Sequence, residues 1–310
     1  MRNQRNSTKI IKLLGFVFTT IFVMLIVLSQ FAKKEQNENQ LISPLSDVVS
    51  FVASPFENGA LKNIVQGSLI GTKGTYGVVI KNLKTGDFYA INEHAIFESG
   101  SLYKIWVMAV AIDQIQNGKL KVDEELSEEI SVLNDTFKIS SESAELTEGK
   151  ISLTANQALQ QMITISHNYA SLLLTKKIRL ASVKTFLEEK GFGESAVGTG
   201  GGPPTSTSSD IALFFEKLYK GELANPQYTS KMLDLLKRQK LNNKLPKHLP
   251  SETIVAHKTG ELGLFTHDGG IVYGPKSDYI IVVLSKSDLP AAAEERIADI
   301  SKKVYEYFQK

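Results

Sequence analysis

The order of the secondary-structure signals constrains this chain most: two strand-forming runs, then a block of helices, then three strands and a closing helix. Residues 75–83 (TYGVVIKNL) and 88–92 are β-branched and aromatic, and Lys84-Thr85-Gly86-Asp87 between them is a hairpin signal. Residues 101–116 (SLYKIWVMAVAIDQIQ) are apolar nearly all round, which predicts a helix inside a core rather than one lying on a surface. Thr154 and Gln157 form a capping box that opens a helix through Met162. More helices are expected over 168–178, 183–190, 208–219 and 228–239. Strands over 253–257, 269–273 and 279–285 then precede a last helix, 290–308, with Ile297, Ile300, Val304 and Phe308 on one stripe. Strands at both ends with helices between them imply an α/β sheet domain built from both termini and a helical domain from the middle. A crevice should lie where the two meet.

A length of 310 residues allows one large domain or two modest ones. Hydrophobic residues at 42% and charged residues at 22% exclude wholesale disorder, a collagen-like fibre and a multi-span membrane protein. There is no cysteine, so thiol nucleophiles, thiolate metal sites and disulfides are excluded. Residues 1–34 hold six cations and no acid, so against a whole-chain charge of +2 the remaining residues carry −4. The basic charge therefore belongs to the N-terminal segment, and a nucleic-acid partner is not expected.

That segment contains LLGFVFTTIFVMLIVLSQFA, residues 13–32, uncharged and about as long as a helix that crosses a bilayer. Its length, and the lack of a small-x-small pair at its end, favour an uncleaved transmembrane anchor over a signal peptide. Four cations precede it and two follow, which places residues 1–12 in the cytoplasm and the bulk of the chain outside. Residues 33–58, with Pro44 and Pro55, read as a tether.

Residues 119–150 carry nine acids without a clean period and read as a solvated loop region. Residues 198–204 (GTGGGPP) must be a loop, and their glycines lack the strand or the Gly-Lys-Ser/Thr that a phosphate cradle requires. Three short motifs could line the crevice. Ser101-Leu102-Tyr103-Lys104 is the only S-x-x-K, Ser166-His167-Asn168 is the only S-x-N, and Lys258-Thr259-Gly260 follows the helical insert. Each alone is weak. A second Lys-Thr-Gly, at 84–86, lies in the hairpin turn.

Joint order and setting lift these motifs above chance. S-x-x-K opens the buried helix, S-x-N lies between two helices, and K-T-G ends the first strand after the insert. In this the chain resembles the class A β-lactamases and related penicillin-binding D,D-peptidases, whose signature is S-x-x-K, S-D-N and K-T-G in that order. The likeness runs from about residue 59 to the C-terminus and extends to residues 153–174, 205–212 and 256–270. It implies an α/β (α+β) fold of the β-lactamase/transpeptidase type: an antiparallel sheet domain flanked by helices (59–97 and 211–310) plus a helical domain (98–210), preceded here by a transmembrane helix. The expected setting is a bacterial cytoplasmic membrane, single-pass, with the catalytic domain extracytoplasmic.

The resemblance also implies roles. Ser101 would be the nucleophile, Lys104 its base, one helical turn away, with burial and the neighbouring Lys258 lowering its pKa. Ser166 would relay the proton to the leaving nitrogen. Asn168 would hydrogen-bond Lys104 and the substrate's side-chain amide. Lys258 and Thr259 would hold the substrate carboxylate, Gly260 would let the substrate lie close to the strand, and the N–H groups of Ser101 and Glu261 would form the oxyanion hole. Substrates would be β-lactams or D-Ala-D-Ala-type peptides, with no cofactor. A penicilloylated sensor or a wall-binding module is the non-enzymatic alternative, disfavoured by the few residues left inside the cell.

Two departures matter. His167 stands where the family usually has aspartate and is expected to be a structural variant. Class A enzymes carry E-x-x-L-N after the helical domain, with the glutamate activating the deacylating water, but residues 191–205 (GFGESAVGTGGGPPT) lack it and look shortened. Glu194 is the sole acid there and hence the candidate base. The five histidines show no H-x-H or H-E-x-x-H spacing, so no metal site is expected, and His257 and His267 read as strand-packing residues.

Overall fold

The computed structural model describes residues 58–198 and 202–310. The expected transmembrane segment 13–32, the expected cytoplasmic stretch 1–12 and nearly all of the expected tether lie outside the described residues. Among those described, no helix is long and apolar enough to cross a membrane.

The chain opens with helix α1 (Gly59–Leu69), capped by Asn58, whose side-chain oxygen accepts the N–H groups of Ala60 and Leu61. The sequence reading had no helix here. Strands β1 (Thr75–Asn82) and β2 (Phe88–Ile91) form the expected hairpin. The last three long strands, β7 (Ile254–Leu262), β8 (Phe265–Tyr273) and β9 (Tyr279–Lys286), complete a five-stranded sheet of order β2-β1-β9-β8-β7, while the two-residue strands β3 (Phe97–Glu98) and β6 (Thr205–Ser206) pair with each other. Every neighbouring pair is antiparallel, and β1 pairs with β9 from Thr75↔Lys286 to Asn82↔Tyr279.

The sheet is covered on both faces, which explains why its strands read as continuous apolar runs. Val78, Ile80, Ile281 and Val283 pack with Leu61 and Val65 of α1 and with Ile297, Ile300 and Val304 of the closing helix α9 (Pro290–Phe308). The alternate residues Val79, Ile280, Val282 and Leu284 share the larger core with Ile211, Phe214 and Phe215. The middle of the chain supplies that second layer: α2 (Lys104–Gln116), α4 (Ala155–Thr164), α5 (Asn168–Ile178), α6 (Leu180–Lys190), α7 (Ser208–Tyr219) and α8 (Pro226–Lys237). Trp106 of α2 lies wholly buried, 4.8 Å from the Phe192 ring and 5.2 Å from that of Phe214. The capping box at Thr154 and Gln157 is present as expected.

Three local expectations need correction. Residues 119–150 are not a plain solvated loop. They contain β4 (Glu125–Glu129), helix α3 (Ile130–Phe137) and the start of β5 (Lys150–Thr154), with Leu126 opposite Leu153. Most of the acids face outward, while Leu126, Ile130 and Leu133 turn inward, so charge masked a sparse apolar face. The helix expected from Ser101 begins as a 3₁₀ turn, Gly100–Tyr103, and becomes α-helical at Lys104. Strand β7 runs on to Leu262, so Lys-Thr-Gly lies within a strand instead of ending one.

Candidate active site

Lys104 is the centre of the site. It opens α2 with no exposed surface, although it is a cation, and its Nζ is directed at three oxygens of the S-x-N segment. It donates to the Ser166 carbonyl at 2.6 Å, to Asn168 Oδ1 at 2.6 Å and to Ser166 Oγ at 3.2 Å. Burial drives its pKa down to about 7, and the negative charge of Glu145 pulls it back upward. Near neutral pH a substantial share of this amine is therefore unprotonated and able to accept a proton. Ser101, half-buried in the 3₁₀ turn, precedes it by three residues.

Lys258 of β7 meets the same serine. Its Nζ donates to Ser166 Oγ at 3.0 Å and to the Thr259 carbonyl at 2.9 Å. Burial and the nearby Lys104 charge push its pKa well down, with Asp268 and Glu261 opposing. The Ser166 hydroxyl thus bridges two lysines, a suitable position for a group that passes a proton onward. Ser166 has φ +59°, a left-handed conformation uncommon for serine. The Lys104 bond to its carbonyl and the bond from the His167 N–H to the Gln161 carbonyl at 3.2 Å hold it there. His167 caps α5, its Nδ1 accepting the Ala170 N–H at 3.2 Å.

The strand and the Ser101 turn come together because two glycines permit it. A Cβ on Gly260 would stand 2.5 Å from the Ser99 carbonyl oxygen, and one on Gly100, at φ +48°, would stand 2.7 Å from the Glu261 nitrogen. The backbones of the Ser101 turn and of Glu261 are therefore packed against each other, as two converging N–H donors require. Gly260→Ala is expected to push β7 outward and slow acylation of Ser101 by about 10²-fold, since displacements near 1 Å cost about that much. Stopped-flow acylation alongside circular dichroism checks this, and a folded variant acylating at the wild-type rate would refute it.

One residue before Lys258 in the strand, His257 Nδ1 pairs with buried Asp268 at 2.9 Å, and Asp268 also accepts the Leu245 N–H at 3.0 Å. His267 donates from Nε2 to the Glu98 carbonyl at 2.9 Å and accepts the Ser285 N–H on Nδ1 at 3.0 Å. Burial lowers its pKa to about 4, so it is a neutral strand-packing histidine, and His257 is likewise buried within its strand. Among the described residues one trio with metal-ligand chemistry is brought together, His248, Glu295 and Asp299, and the Lys247 and His248 side chains already bond Glu295 there.

Glu194 is not brought to this cluster. Its carboxylate bonds His94 Nδ1 at 2.8 Å and Thr207 Oγ1 at 2.8 Å. Burial works against its ionisation, but these two bonds outweigh that and hold the carboxyl below its ordinary range. Two participants were missed by sequence reasoning. Glu145, in the acidic stretch, accepts from Asn168 Nδ2 at 2.5 Å, and buried Lys244 pairs with the Glu261 side chain. Neither stands in a motif, so no local signal could have found them.

The model of the beta-lactamase enzyme family matches residues 60–308. The extended-spectrum beta-lactamase PER-1 of Pseudomonas aeruginosa is 24% identical over 288 residues, covering 84% of this chain and 92% of its own. PBP-A has a similar fold, with a TM-score of 0.72 at 23% identity over 83% of this chain and 99% of its own. So does a beta-lactamase from Sphaerobacter thermophilus, at a TM-score of 0.70 and 21% identity over 80% and 97%. With the family model spanning all three motifs and the sheet that carries them, the chain belongs to the beta-lactamase enzyme family and is a serine β-lactamase-like hydrolase.

Proposed function

We propose that this chain is a membrane-anchored, extracytoplasmic enzyme of the class A β-lactamase type, opening β-lactams through an acyl-Ser101 intermediate that it releases slowly. The observation that carries the reading is the buried Lys104, with its pKa near 7 and its Nζ on Ser166 and Asn168. In this reading Lys104 takes the Ser101 proton, and Ser166 passes it to the leaving nitrogen. Lys258 and Thr259 receive the substrate carboxylate, and the N–H groups of Ser101 and Glu261 stabilise the oxyanion. A PBP-A variant solved as an acyl-enzyme complex with penicillin G shares this fold, with a TM-score of 0.70, and supports the choice of ligand. The uncharged run 13–32 and its flanking cations support the anchor.

A second reading, a penicillin-binding D,D-peptidase acting on wall peptides, is favoured by the missing E-x-x-L-N motif. It shares acylation at Ser101 and differs in the natural acyl donor. One experiment tests the common core. A fluorescent penicillin that does not cross the cytoplasmic membrane is added to intact cells expressing the full chain, and the membrane fraction is resolved by mass and peptide mapping. The expected adduct is on Ser101, absent from Ser101→Ala. Failure to label, or an adduct that survives the substitution, would overturn the reading.

A further inference from the structure

The carboxylate of Glu145 stands where the mechanism has no use for one. Asn168 is exposed, and its Oδ1 is committed to Lys104, so Nδ2 is the only donor its side chain can offer a ligand. Glu145 Oε1 occupies that donor at 2.5 Å. In the proposed mechanism the same N–H group receives the carbonyl of the substrate's acyl side-chain amide, so substrate and Glu145 compete for one donor.

The contact is built rather than incidental. The residue after Glu145 is held at both its backbone groups by buried side chains. The Tyr169 hydroxyl accepts the Leu146 N–H at 3.1 Å and lies 2.7 Å from the Leu146 carbonyl, which also accepts from Asn134 Nδ2 at 2.8 Å. Tyr169 and Asn134 bond each other at 3.0 Å and are buried. Tyr169 directly follows Asn168 in the chain. One helix end therefore carries both the amide and the clamp that delivers the carboxylate to it.

We propose that Glu145 is a charge filter on the acyl side of the cleft, favouring acyl donors that carry an ammonium group beside the acyl amide and disfavouring those that carry a carboxylate there. The inference rests on the proposed function, since it concerns the substrate class of that same site. When a substrate carbonyl takes Asn168 Nδ2, Glu145 gives way by a few ångströms and stays next to whatever group the acyl side chain bears. An ammonium there finds a partner, a neutral group finds none, and a carboxylate meets repulsion and leaves Glu145 on Asn168. Because Glu145 is exposed, the effect should be modest and sensitive to salt. Tyr169 and Asn134 act as positioning residues, setting where the charge sits.

Three penicillins that share one bicyclic nucleus supply the test: ampicillin with an ammonium at the acyl side chain, benzylpenicillin with none, and carbenicillin with a carboxylate. Second-order rate constants for acylation of Ser101 are measured on the full chain in detergent by stopped flow and intact mass. In the wild type ampicillin should exceed carbenicillin by about tenfold at low salt, and the ratio should shrink at high salt. Glu145→Gln should bring the three within about twofold of one another. Tyr169→Phe should move the ratio in the same direction, which a loss of stability alone would not do. Acylation with the wild-type ratio retained in Glu145→Gln would overturn the charge filter and leave the proposed function standing. No acylation by any of the three would remove the proposed function and this inference with it.

Discussion

Replacing Lys104 with methionine should slow acylation of Ser101 by about 10² to 10⁴-fold, the range that general-base assistance supplies. The wild-type enzyme should show a rate that climbs as the pH rises through about 7 and levels off above it, because the neutral amine is the active form and burial has brought its pKa to about 7. The groups facing that amine are Glu145, which raises its pKa, and Lys258 and Ser166, which share its hydrogen-bond network. Lys104→Met should lose the climb as well as the rate. Stability obeys the same linkage. The folded chain holds this proton less tightly than the unfolded chain does, so between about pH 7 and the ordinary lysine range the unfolded state binds more protons and stability contributed here rises with pH. Rate constants for acylation measured from pH 5.5 to 9 check the first statement, and a flat wild-type profile would contradict the assignment of Lys104 as the base.

The second large effect concerns release. Acylation needs Ser101, a base and an oxyanion hole; deacylation also needs a water aligned on the ester by a further base, and the usual glutamate motif is missing from residues 191–205. Loss of that assistance is worth about 10² to 10⁴-fold, or roughly 3 to 5 kcal/mol of barrier. A chromogenic cephalosporin followed by stopped flow should therefore give a burst near one equivalent of enzyme and then a slow steady state, with the acyl-enzyme visible by intact mass. Turnover that is fast and linear from the start would overturn slow release, and Glu194→Ala then identifies the base. Conversion of fast turnover to a burst would assign the role to Glu194, despite its bonds to His94 and Thr207. Fast turnover unaffected by the substitution would assign it elsewhere.

The parts of the fold that were legible in the sequence are those fixed by local chemistry. The Lys84-Thr85-Gly86-Asp87 turn, the capping box and the stripe on the last helix each depend on residues within a few positions of one another, and each stands as expected. What escaped was decided by distant partners. The side of β4 that faces inward rests on one leucine, Leu126, set against β5 some 25 residues on, and its acidic neighbours hid it. The 3₁₀ turn that holds Ser101 begins at Gly100, which at φ +48° fits against Glu261, a contact between residues 161 positions apart. Lys104, Ser166, Asn168 and Lys258, which hydrogen bonds join, all stand in short motifs of fixed residue types and so are legible locally. Glu145 reaches Asn168 through a loop pinned by Asn134 and Tyr169, and no spacing rule encodes that.

The pairing of β1 with β9 has a consequence for how the molecule is made. Asn58 bonds the Tyr307 hydroxyl at 2.9 Å across 249 positions, and the first strand finds its central neighbour only in the last one. Contacts of such separation are slow to form, because a long loop must close before they contribute. A chain emerging from its N-terminus therefore presents the apolar run of β1, paired on one edge by β2 at most, until β9 has been delivered. Through that interval it stands open to proteases and to edge-to-edge association. Removing α9 should leave not a shortened enzyme but a chain whose sheet has lost the main cover of one apolar face.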